Sequence, residues 1–522
     1  MKTTSLNQRK RPAFEAARRA FAGGDIAATE RICAEILARD ANEWAAWALL
    51  TETALRRGRN DAAIVCADRA VQLASGNSPL PLILRAKCLF LLGQARQALE
   101  AAEMAAVIVG TAPEALDALG AIFGLLGLHG RARDLFRRAV ASRPDVPQYL
   151  FNLAATERMT GHLADAERHC DAALALDRTY GLAHYLRSDL RIQTAERNHV
   201  AEMEAAVAEG KISPQSEVLL RFALGKECED LEQYERAFRH IDTGCALQRR
   251  LLGKNRTSAI AEIEHIIASH TRDWIAAAPT GHNGAAPIFV TGLPRTGTTL
   301  VERIIASHPA MTSLGETSAF AAELSRTSAD AASCGDPAAL GRSYIEAATV
   351  LRLPPDARFV DKTLENYLHC GLIHVSLPSA KIILVQRRAM DACWAMYKAH
   401  FQGKFPFSYD QIEIAEHYLA YRRLTRHWKA TLPDHVLLDI NYEDIVRDQE
   451  AVSRKMIAFL ALAWDNEVLR FHESPTPSAT ASAVQVRRPL YASSVGKWRH
   501  HADHLKPMRE RLARELGEAE LD

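Results

Sequence analysis

Glycine and alanine recur together at a fixed spacing through the first part of the chain. Gly58, Gly93, Gly127 and Gly161 lie 35, 34 and 34 residues apart. Small residues let two antiparallel helices cross closely, and glycine suits the turn between them. The spacing therefore predicts an array of two-helix repeats. The alanines that follow each glycine after five and twelve residues are Ala63, Ala70, Ala98, Ala105, Ala132, Ala139, Ala166 and Ala173.

This period, with small residues at these offsets, resembles the tetratricopeptide repeat. A first copy at Gly24 is degenerate, the register weakens after residue 180, and a repeat-like segment returns around Gly225. The resemblance implies a concave surface that binds a peptide or a protein. An all-helical domain without a ligand is the alternative.

The second half alternates apolar strand-like runs with helical patterns. Strands are predicted at 287–291, 358–361, 381–386 and 435–440, and helices at 298–307 and 412–429. Short apolar strands separated by helices indicate a parallel sheet covered on both faces. The predicted fold is thus an all-α repeat solenoid followed by an α/β domain with a parallel sheet. Its predicted parts are a repeat-like helical domain at 1–255, a connecting helix and linker at 256–286, and the α/β domain at 287–522.

The segment PIFVTGLPRTGTTL, which begins at residue 287, reads as a strand, a tight turn and a helix start. Gly292 and Gly297 have the spacing of a nucleotide-binding P-loop, but Thr298 stands where that loop has its lysine. Backbone amides and the helix N-terminus still favour an anion, and Arg295 adds a positive charge. A phosphate is expected. A P-loop kinase is disfavoured because it needs the lysine and a magnesium site.

The motif PRTGTTL after a strand resembles the 5′-phosphosulfate-binding loop of sulfotransferases. The region from about 285 to 500 is similar to the tyrosylprotein sulfotransferases and their bacterial repeat-containing relatives. The resemblance implies a three-layer P-loop-like domain that uses 3′-phosphoadenosine 5′-phosphosulfate (PAPS) as donor and no metal. It also implies transfer of a sulfuryl group to a hydroxyl acceptor.

Site residues follow from the same resemblance. It implies that Glu316 is the general base, that Lys362 stabilises the transferring group and leaving oxygen, and that Arg387 grips the 3′-phosphate. A solvated surface glutamate, or a lysine or arginine that merely pairs a carboxylate, is the alternative at these positions. The remaining donor-binding residues that it implies are Arg295, Thr296, Gly297, Thr298, Thr299, Tyr442, Ser482 and Lys497.

The chain departs from the family pattern at four positions. Ala395 stands where the family has a serine that hydrogen-bonds the 3′-phosphate, and one lost bond to a charged group costs about 1.5–3 kcal/mol. Ser318 replaces an arginine that helps to position an acidic peptide, so a tyrosine-peptide acceptor does not follow. Ala389 and Leu364 replace prolines and predict shifted loops.

Composition sets the remaining expectations. A formal charge of +1 over 522 residues predicts no nucleic-acid partner. We expect neither a secretory signal nor a membrane span, and nine scattered cysteines are typical of reduced thiols in the cytoplasm. The acceptor stays open between peptide, protein, glycan and small metabolite. A non-catalytic scaffold that binds PAPS or its product, and a protein through the repeats, is the competing function.

Overall fold

In the computed structural model, the chain divides into two compact units, Met1–Thr156 and Glu157–Asp522. The boundary between the units falls within one helix, α9 (Pro147–Thr160). The residues that the structure describes are 2–74, 76, 78–253, 259–284, 286–327, 335–349, 358–474, 476–480, 482–490 and 494–521.

The first unit consists of helices that pack in antiparallel pairs. The predicted turn glycines Gly58, Gly93 and Gly127 all have a positive φ, which is cheap only for glycine. Each predicted alanine, including Ala166 and Ala173 of the second unit, is buried, with at most 1% of its surface exposed. The two-helix repeats are thereby confirmed. The helices of this unit are α1 Lys2–Ala22, α2 Ile26–Arg39, α3 Trp44–Arg56, α4 Asn60–Leu73, α5 Leu80–Leu91, α6 Ala95–Ile108, α7 Pro113–Leu125 and α8 His129–Ser142.

The second unit begins with the remaining repeat-like helices, which we call the helical layer (α10 to α14). Gly225 of α13 faces α14 so closely that a Cβ atom there would lie 2.4 Å from Ile241 Cγ1. Ala237 beside this crossing is fully buried. The repeat-like segment predicted around Gly225 is therefore a close helix pair. The layer comprises α10 Leu163–Leu176, α11 Gly181–Asp189, α12 Val200–Ala208, α13 Pro214–Asp230 and α14 Tyr234–Leu252, and α15 Ala259–Ser269 and α16 Arg272–Ala277 follow it.

The rest of the second unit is built on a parallel sheet with the strand order β2-β3-β1-β4-β5. The strand β1 (Ile288–Thr291) is central and wholly buried, as an apolar strand between two helical layers must be. The other strands are β2 Thr312–Gly315, β3 Phe359–Asp361, β4 Lys381–Gln386 and β5 Leu437–Asn441.

Helices cover both faces of this sheet. One face packs a core that includes Phe289 and Trp428, and the other packs Val290 and Ile304. Residues of the helical layer, such as Phe238, belong to the first of these cores. The helices are α17 Thr298–Ala306, α18 Ala319–Thr327, α19 Pro337–Thr349, α20 Cys370–Ser376, α21 Ala389–Tyr397, α22 Gln411–Thr431, α23 Tyr442–Arg447, α24 Gln449–Phe459, α25 Lys506–Ala513 and α26 Glu518–Leu521, and short 3-10 helices include Gln485–Arg487 and Lys497–His501.

The predicted fold class is confirmed, with one strand missed. Thr312–Gly315 is a strand that the sequence analysis did not predict, because its four residues carry no apolar run. The strand predicted at 435–440 begins and ends slightly later, at Leu437–Asn441. The predicted domain boundary at residue 255 lies outside the described residues, and that division stays a prediction.

Among the described residues, none of the helices is both long enough and apolar enough to cross a membrane. This finding concerns only the described ranges.

The crossing of α13 and α14 predicts an overpacking effect at Gly225. We expect Gly225→Ala to destabilise the second unit by about 1–3 kcal/mol, because the new Cβ would push against Ile241. Gly517→Ala is the matched control, since a Cβ there meets nothing within 4 Å. Thermal unfolding followed by circular dichroism measures both variants. Equal midpoints for the two would contradict the close crossing.

Candidate active site

Predicted site residues follow the end of every strand in the sheet. In the sheet order β2-β3-β1-β4-β5, the residues at these ends are Glu316, Lys362, the loop with Arg295, Arg387 and Tyr442. Because the strands are parallel, their carboxyl ends lie along one edge. The topology thus brings residues that are distant in sequence into one row.

The loop after β1 has the geometry of an anion cradle. Gly297 has φ +103° and precedes α17, which begins at Thr298. A Cβ atom at Gly297 would lie 2.6 Å from Tyr442 Cδ2, so only glycine fits between the loop and that ring. Thr296 Oγ1 donates to Leu293 O at 2.7 Å and closes the turn. The free amides at the start of α17 suit a phosphate or sulfate.

Arg295 is held by the segment that precedes the C-terminal helices. Its φ of +66° is uncommon for a residue with a side chain. Its guanidinium donates from Nη1 to Ser482 Oγ at 2.9 Å and from Nη2 to Gln485 Oε1 at 3.1 Å. The structure therefore brings together Arg295 and Ser482, which are far apart in sequence and were both predicted to bind the sulfuryl donor.

Arg387 lies on the other side of the loop. It donates from Nη1 to Arg295 O at 3.1 Å and from Nη2 to Ser494 O at 2.6 Å, and its Cζ lies 4.8 Å from the centre of the Tyr442 ring. The Tyr442 and Ser494 hydroxyl oxygens are 2.7 Å apart. Among the described residues, no acceptor pairs the buried Nε of Arg387. A cation with an unsatisfied donor beside a hydroxyl pair fits a second phosphate.

Glu316 and Lys362 meet at the opposite end of the row. Lys362 Nζ donates to Glu316 Oε1 at 2.5 Å. The Lys362 side chain is fully buried, whereas the Glu316 side chain keeps about a third of its surface exposed. Lys404 approaches Glu316 Oε2 at 4.0 Å and Glu365 at 3.2 Å from the outside. The pair thus combines a carboxylate that solvent can reach with a cation that it cannot.

The turn that carries Glu316 is anchored by Asp361. Asp361 Oδ2 accepts from Thr317 Oγ1 at 2.8 Å and from Tyr344 OH at 3.0 Å, and Oδ1 accepts from Thr363 N and Oγ1. Burial raises the pKa of Asp361, and these hydrogen bonds oppose that rise. Ser318, beside the turn, has φ +52°. Asp361 therefore fixes the loops on both sides of Lys362.

Lys497 lies in a cluster of charges that also contains residues the sequence analysis missed. Lys398 donates to both carboxylate oxygens of Glu229, a residue of α13, at 2.8 and 2.5 Å. His501 Nε2 lies 3.7 Å from the same carboxylate. Burial lowers the pKa of Lys398, Glu229 raises it, and the charges of Lys497 and Arg295 lower it further. These cations therefore lie within electrostatic range of one another.

The remaining positions singled out in the sequence differ in their contacts. The Thr299 hydroxyl faces the Thr480 hydroxyl at 3.4 Å, while the Thr298 and Thr299 side chains are both buried. Ala395 is buried on α21 and offers no hydroxyl. Leu364, at a family proline position, uses its carbonyl to accept from Thr291 Oγ1 at 2.5 Å.

Several polar residues of the site escaped the sequence analysis. Ser494 and Asp391 support Arg387 and the turn at Gly496, whose amide donates to Asp391 Oδ2 at 2.8 Å. Asp391 stands four residues after Arg387, a helical spacing that could have suggested it. Nothing local in the sequence marks Glu229 or Lys398, because their meeting depends on the packing of α13.

No group of three or more His, Cys, Asp or Glu residues with metal-holding geometry occurs in the described part of the chain.

The region that contains the β1 loop, Glu316, Lys362, Arg387 and Tyr442 also matches a known protein family. Residues 287–466 match the model of the Sulfotransferase family. This match supports sulfuryl transfer in general, and the matched residues include all five strands of the parallel sheet.

Similar individual proteins add little about function. An uncharacterized protein of Aquifex aeolicus is 26% identical over 402 residues, which are 73% of this chain and 52% of that protein. The chain thus spans about half the length of the curated relative it matches. A tetratricopeptide-repeat protein of Thermus thermophilus aligns with 18% identity and a TM-score of 0.30, covering 32% of this chain and 92% of that one. One from Parabacteroides merdae aligns with 18% identity and a TM-score of 0.31, covering 48% and 95%.

The Asp361 network predicts a large stability effect. We expect Asp361→Ala to lower the free energy of unfolding by about 2–5 kcal/mol, since each buried donor left unpaired costs about 1–3 kcal/mol. The control Asp336→Ala removes only the exposed cap of α19, where Ala339 N donates to Asp336 Oδ1 at 2.9 Å, and costs about 0.5–2 kcal/mol. Urea unfolding compares them. A loss at Asp361 no larger than at Asp336 would contradict the network.

Proposed function

We propose that the protein transfers a sulfuryl group from PAPS to a hydroxyl acceptor, with Glu316 as general base. One observation carries this proposal above the others. The Glu316 carboxylate touches the buried Lys362 ammonium, and Lys362 follows β3, the strand that pairs with the loop-bearing β1. A base and a cation next to an anion cradle are what transfer of an anionic group to a hydroxyl requires.

These residues can account for the bonds and the proton of the proposed transfer. The acceptor oxygen forms a bond to sulfur while the bond between sulfur and the bridging phosphate oxygen breaks. Glu316 takes the acceptor proton, and Lys362 faces the negative charge that grows on the bridging oxygen. Exposure of Glu316 lets an acceptor reach it, and burial of Lys362 strengthens its electrostatic effect. No metal takes part in this proposal.

The residues at the other end of the row fit a donor with two phosphate sites. The amides of Thr296 to Thr299 and the Arg295 guanidinium would hold the 5′-phosphosulfate. Arg387, with its unpaired buried Nε, would hold the 3′-phosphate. Tyr442 would lie near the adenine, and Lys497 would add a cation to the donor site.

Ser494 offers a hydroxyl near Arg387 that could replace the serine hydroxyl missing at Ala395. Its hydroxyl lies 2.7 Å from Tyr442 OH, and its carbonyl accepts from Arg387. A hydroxyl beside the proposed 3′-phosphate arginine can supply the bond that Ala395 lacks. We therefore assign Ser494 to the 3′-phosphate site.

For the acceptor, we propose a chemical class, a hydroxyl compound with negative charge nearby. Lys404 stands about half exposed beside Glu316 and suits an acceptor that carries negative charge near its hydroxyl. A peptide, a protein or a glycan bound with help from the repeats fits this proposal. We also propose that the protein works in the cytoplasm, where reduced thiols such as its scattered cysteines are common.

Replacement of the base gives the most direct mutational test. We expect Glu316→Gln to reduce sulfuryl transfer at least about a hundredfold, because a positioned general base contributes about 10²- to 10⁴-fold. Binding of the desulfated product, adenosine 3′,5′-bisphosphate, is expected to persist because Glu316 lies at the acceptor end of the row. Transfer from labelled PAPS to a panel of phenols, tyrosine peptides and glycans gives the rate, and calorimetry gives the affinity.

Glu365→Gln serves as the matched control, since Glu365 also contacts Lys404 but does not touch Lys362. Full transfer by Glu316→Gln would contradict the role of the base. Product binding by the wild-type protein without transfer to any acceptor would point to the non-catalytic scaffold. Magnesium-dependent hydrolysis of ATP would instead support the hypothesis that the protein is a P-loop kinase.

The Ser494 assignment predicts a loss of affinity. We expect Ser494→Ala to weaken binding of adenosine 3′,5′-bisphosphate about tenfold, the effect of one hydrogen bond to a charged group. Adenosine 5′-monophosphate, which lacks the 3′-phosphate, is expected to bind both forms equally. Calorimetry with the two ligands measures this difference. An equal loss for both ligands would contradict a contact specific to the 3′-phosphate.

A further inference from the structure

A carboxylate from the helical layer reaches the cations of the candidate site. Glu229 lies near the end of α13, and its side chain is only 9% exposed. Both of its oxygens accept from Lys398, which directly follows α21, the helix that begins two residues after Arg387. The pair therefore joins the helical layer to the sulfotransferase domain.

The cations around this pair belong to the proposed donor site. The positive charges of Lys497 and Arg295 lower the pKa of Lys398. The charge of Lys497 also lowers the pKa of Glu229. Burial alone would raise the pKa of Glu229, but the neighbouring Lys398, His501 and Lys497 together lower it. Glu229 is thus an ionised carboxylate enclosed by positive charge.

Packing holds α14, the helix that crosses α13 closely at Gly225, independently of these charges. Phe238 of α14 stacks near Trp394 and His504, with ring centroids 6.2 and 4.3 Å apart. Cys245 Sγ approaches Tyr397 O at 3.4 Å, and Tyr397 OH donates to Asp242 at 2.6 Å.

Farther along α14, Arg249 pairs with Asp410 and Glu413 at the start of α22. These contacts join α14 to α21 and α22, and α13, which carries Glu229, crosses α14 closely at Gly225.

We propose that Glu229 is a positioning residue for donor binding: its carboxylate holds the Lys398 ammonium in place, so that Lys398 acts with Lys497 and Arg295 on the donor phosphates. This inference rests on the proposed function. It makes the helical layer a part of the donor site rather than only a surface for a partner.

The charges that face Lys398 set the sign of the expected pH effect. They are Glu229 from α13, Lys497 from the 3-10 helix and Arg295 from the loop, and His501 of the same 3-10 helix lies 3.7 Å from the Glu229 carboxylate. Burial and the two cations lower the pKa of Lys398, and only Glu229 raises it among the causes that act on it most. Without the Glu229 charge, the pKa falls further, so Lys398 loses its proton as the pH rises through this lowered value.

Donor affinity should therefore depend on pH when Glu229 is neutralised. We compare binding of adenosine 3′,5′-bisphosphate by calorimetry at about pH 6.5 and about pH 8.5, a range in which an ordinary lysine stays charged. For Glu229→Gln, we expect an affinity within about threefold of wild type at the lower pH and about tenfold weaker at the higher pH. The ratio to wild type cancels the titration of the ligand itself.

Three further variants separate positioning from a general loss of structure. Glu229→Asp keeps the charge and should stay within about threefold of wild type at both pH values. Lys398→Met should bind about tenfold more weakly at both, and the double variant Glu229→Gln/Lys398→Met should match it. The matched control is Glu227→Gln on the same helix, a buried carboxylate that pairs with His199 and Ser188 instead, and it should show no pH-dependent ratio.

The outcomes distinguish this inference from the proposed function. If wild type binds adenosine 3′,5′-bisphosphate and Glu229→Gln keeps a pH-independent ratio to it, the inference fails and the proposed function stands. If Glu227→Gln shows the same pH dependence, or if the double variant binds more weakly than Lys398→Met, action through Lys398 is contradicted. If wild type binds no such ligand at either pH, both the proposed function and the inference fail.

Discussion

The order of the five strands is the constraint on which the candidate site depends. In a parallel sheet, every strand delivers its next residue to the same edge, so the order β2-β3-β1-β4-β5 arranges distant residues in one row. The row runs from Glu316 through Lys362 and the loop at Arg295 to Arg387 and Tyr442. A carboxylate, a buried cation, a loop with a helix N-terminus, a second cation and an aromatic ring thus follow one another along this edge, in the order that the proposed hydroxyl acceptor and nucleotide donor would need.

The edge is also supported from outside the sheet. Ser482 and Gln485 hold the Arg295 guanidinium, and Arg487 of the same segment donates to Met159 O at 2.9 Å. Ser478 N donates to the same carbonyl at 3.0 Å. Through these contacts, Met159 supports the segment that holds Arg295, and Glu229 contacts Lys398. Within the second unit, helices before the sheet thus contact the segments around the proposed site.

The sequence predicted the features that local patterns encode. Positive-φ glycines and buried alanines repeat with a period, and the loop PRTGTTL keeps its motif, so the repeats and the cradle could be predicted from residues alone. The strand Thr312–Gly315 could not, because it is short and partly exposed and gains its place by pairing with β3.

Residues that matter through long-range packing were missed for a similar reason. Ser494, Asp361 as an anchor, and the pair of Glu229 and Lys398 have no local signature, since each partner lies tens to hundreds of residues away. The resemblance supplied roles for single positions, such as Ala395 in place of a serine. It did not show that a hydroxyl from another segment stands near the arginine that this serine would accompany.

The crystal structure of the full chain with adenosine 3′,5′-bisphosphate tests the central claim most directly. The account predicts the 5′-phosphate on the amides of residues 296 to 299, and the 3′-phosphate between the Arg387 guanidinium and the Ser494 hydroxyl. Glu316 and Lys362 should then lie beyond the 5′-phosphate, at the end where the sulfuryl group would be transferred. A ligand that binds away from the carboxyl edge of the sheet, or whose 3′-phosphate avoids Arg387, would contradict it.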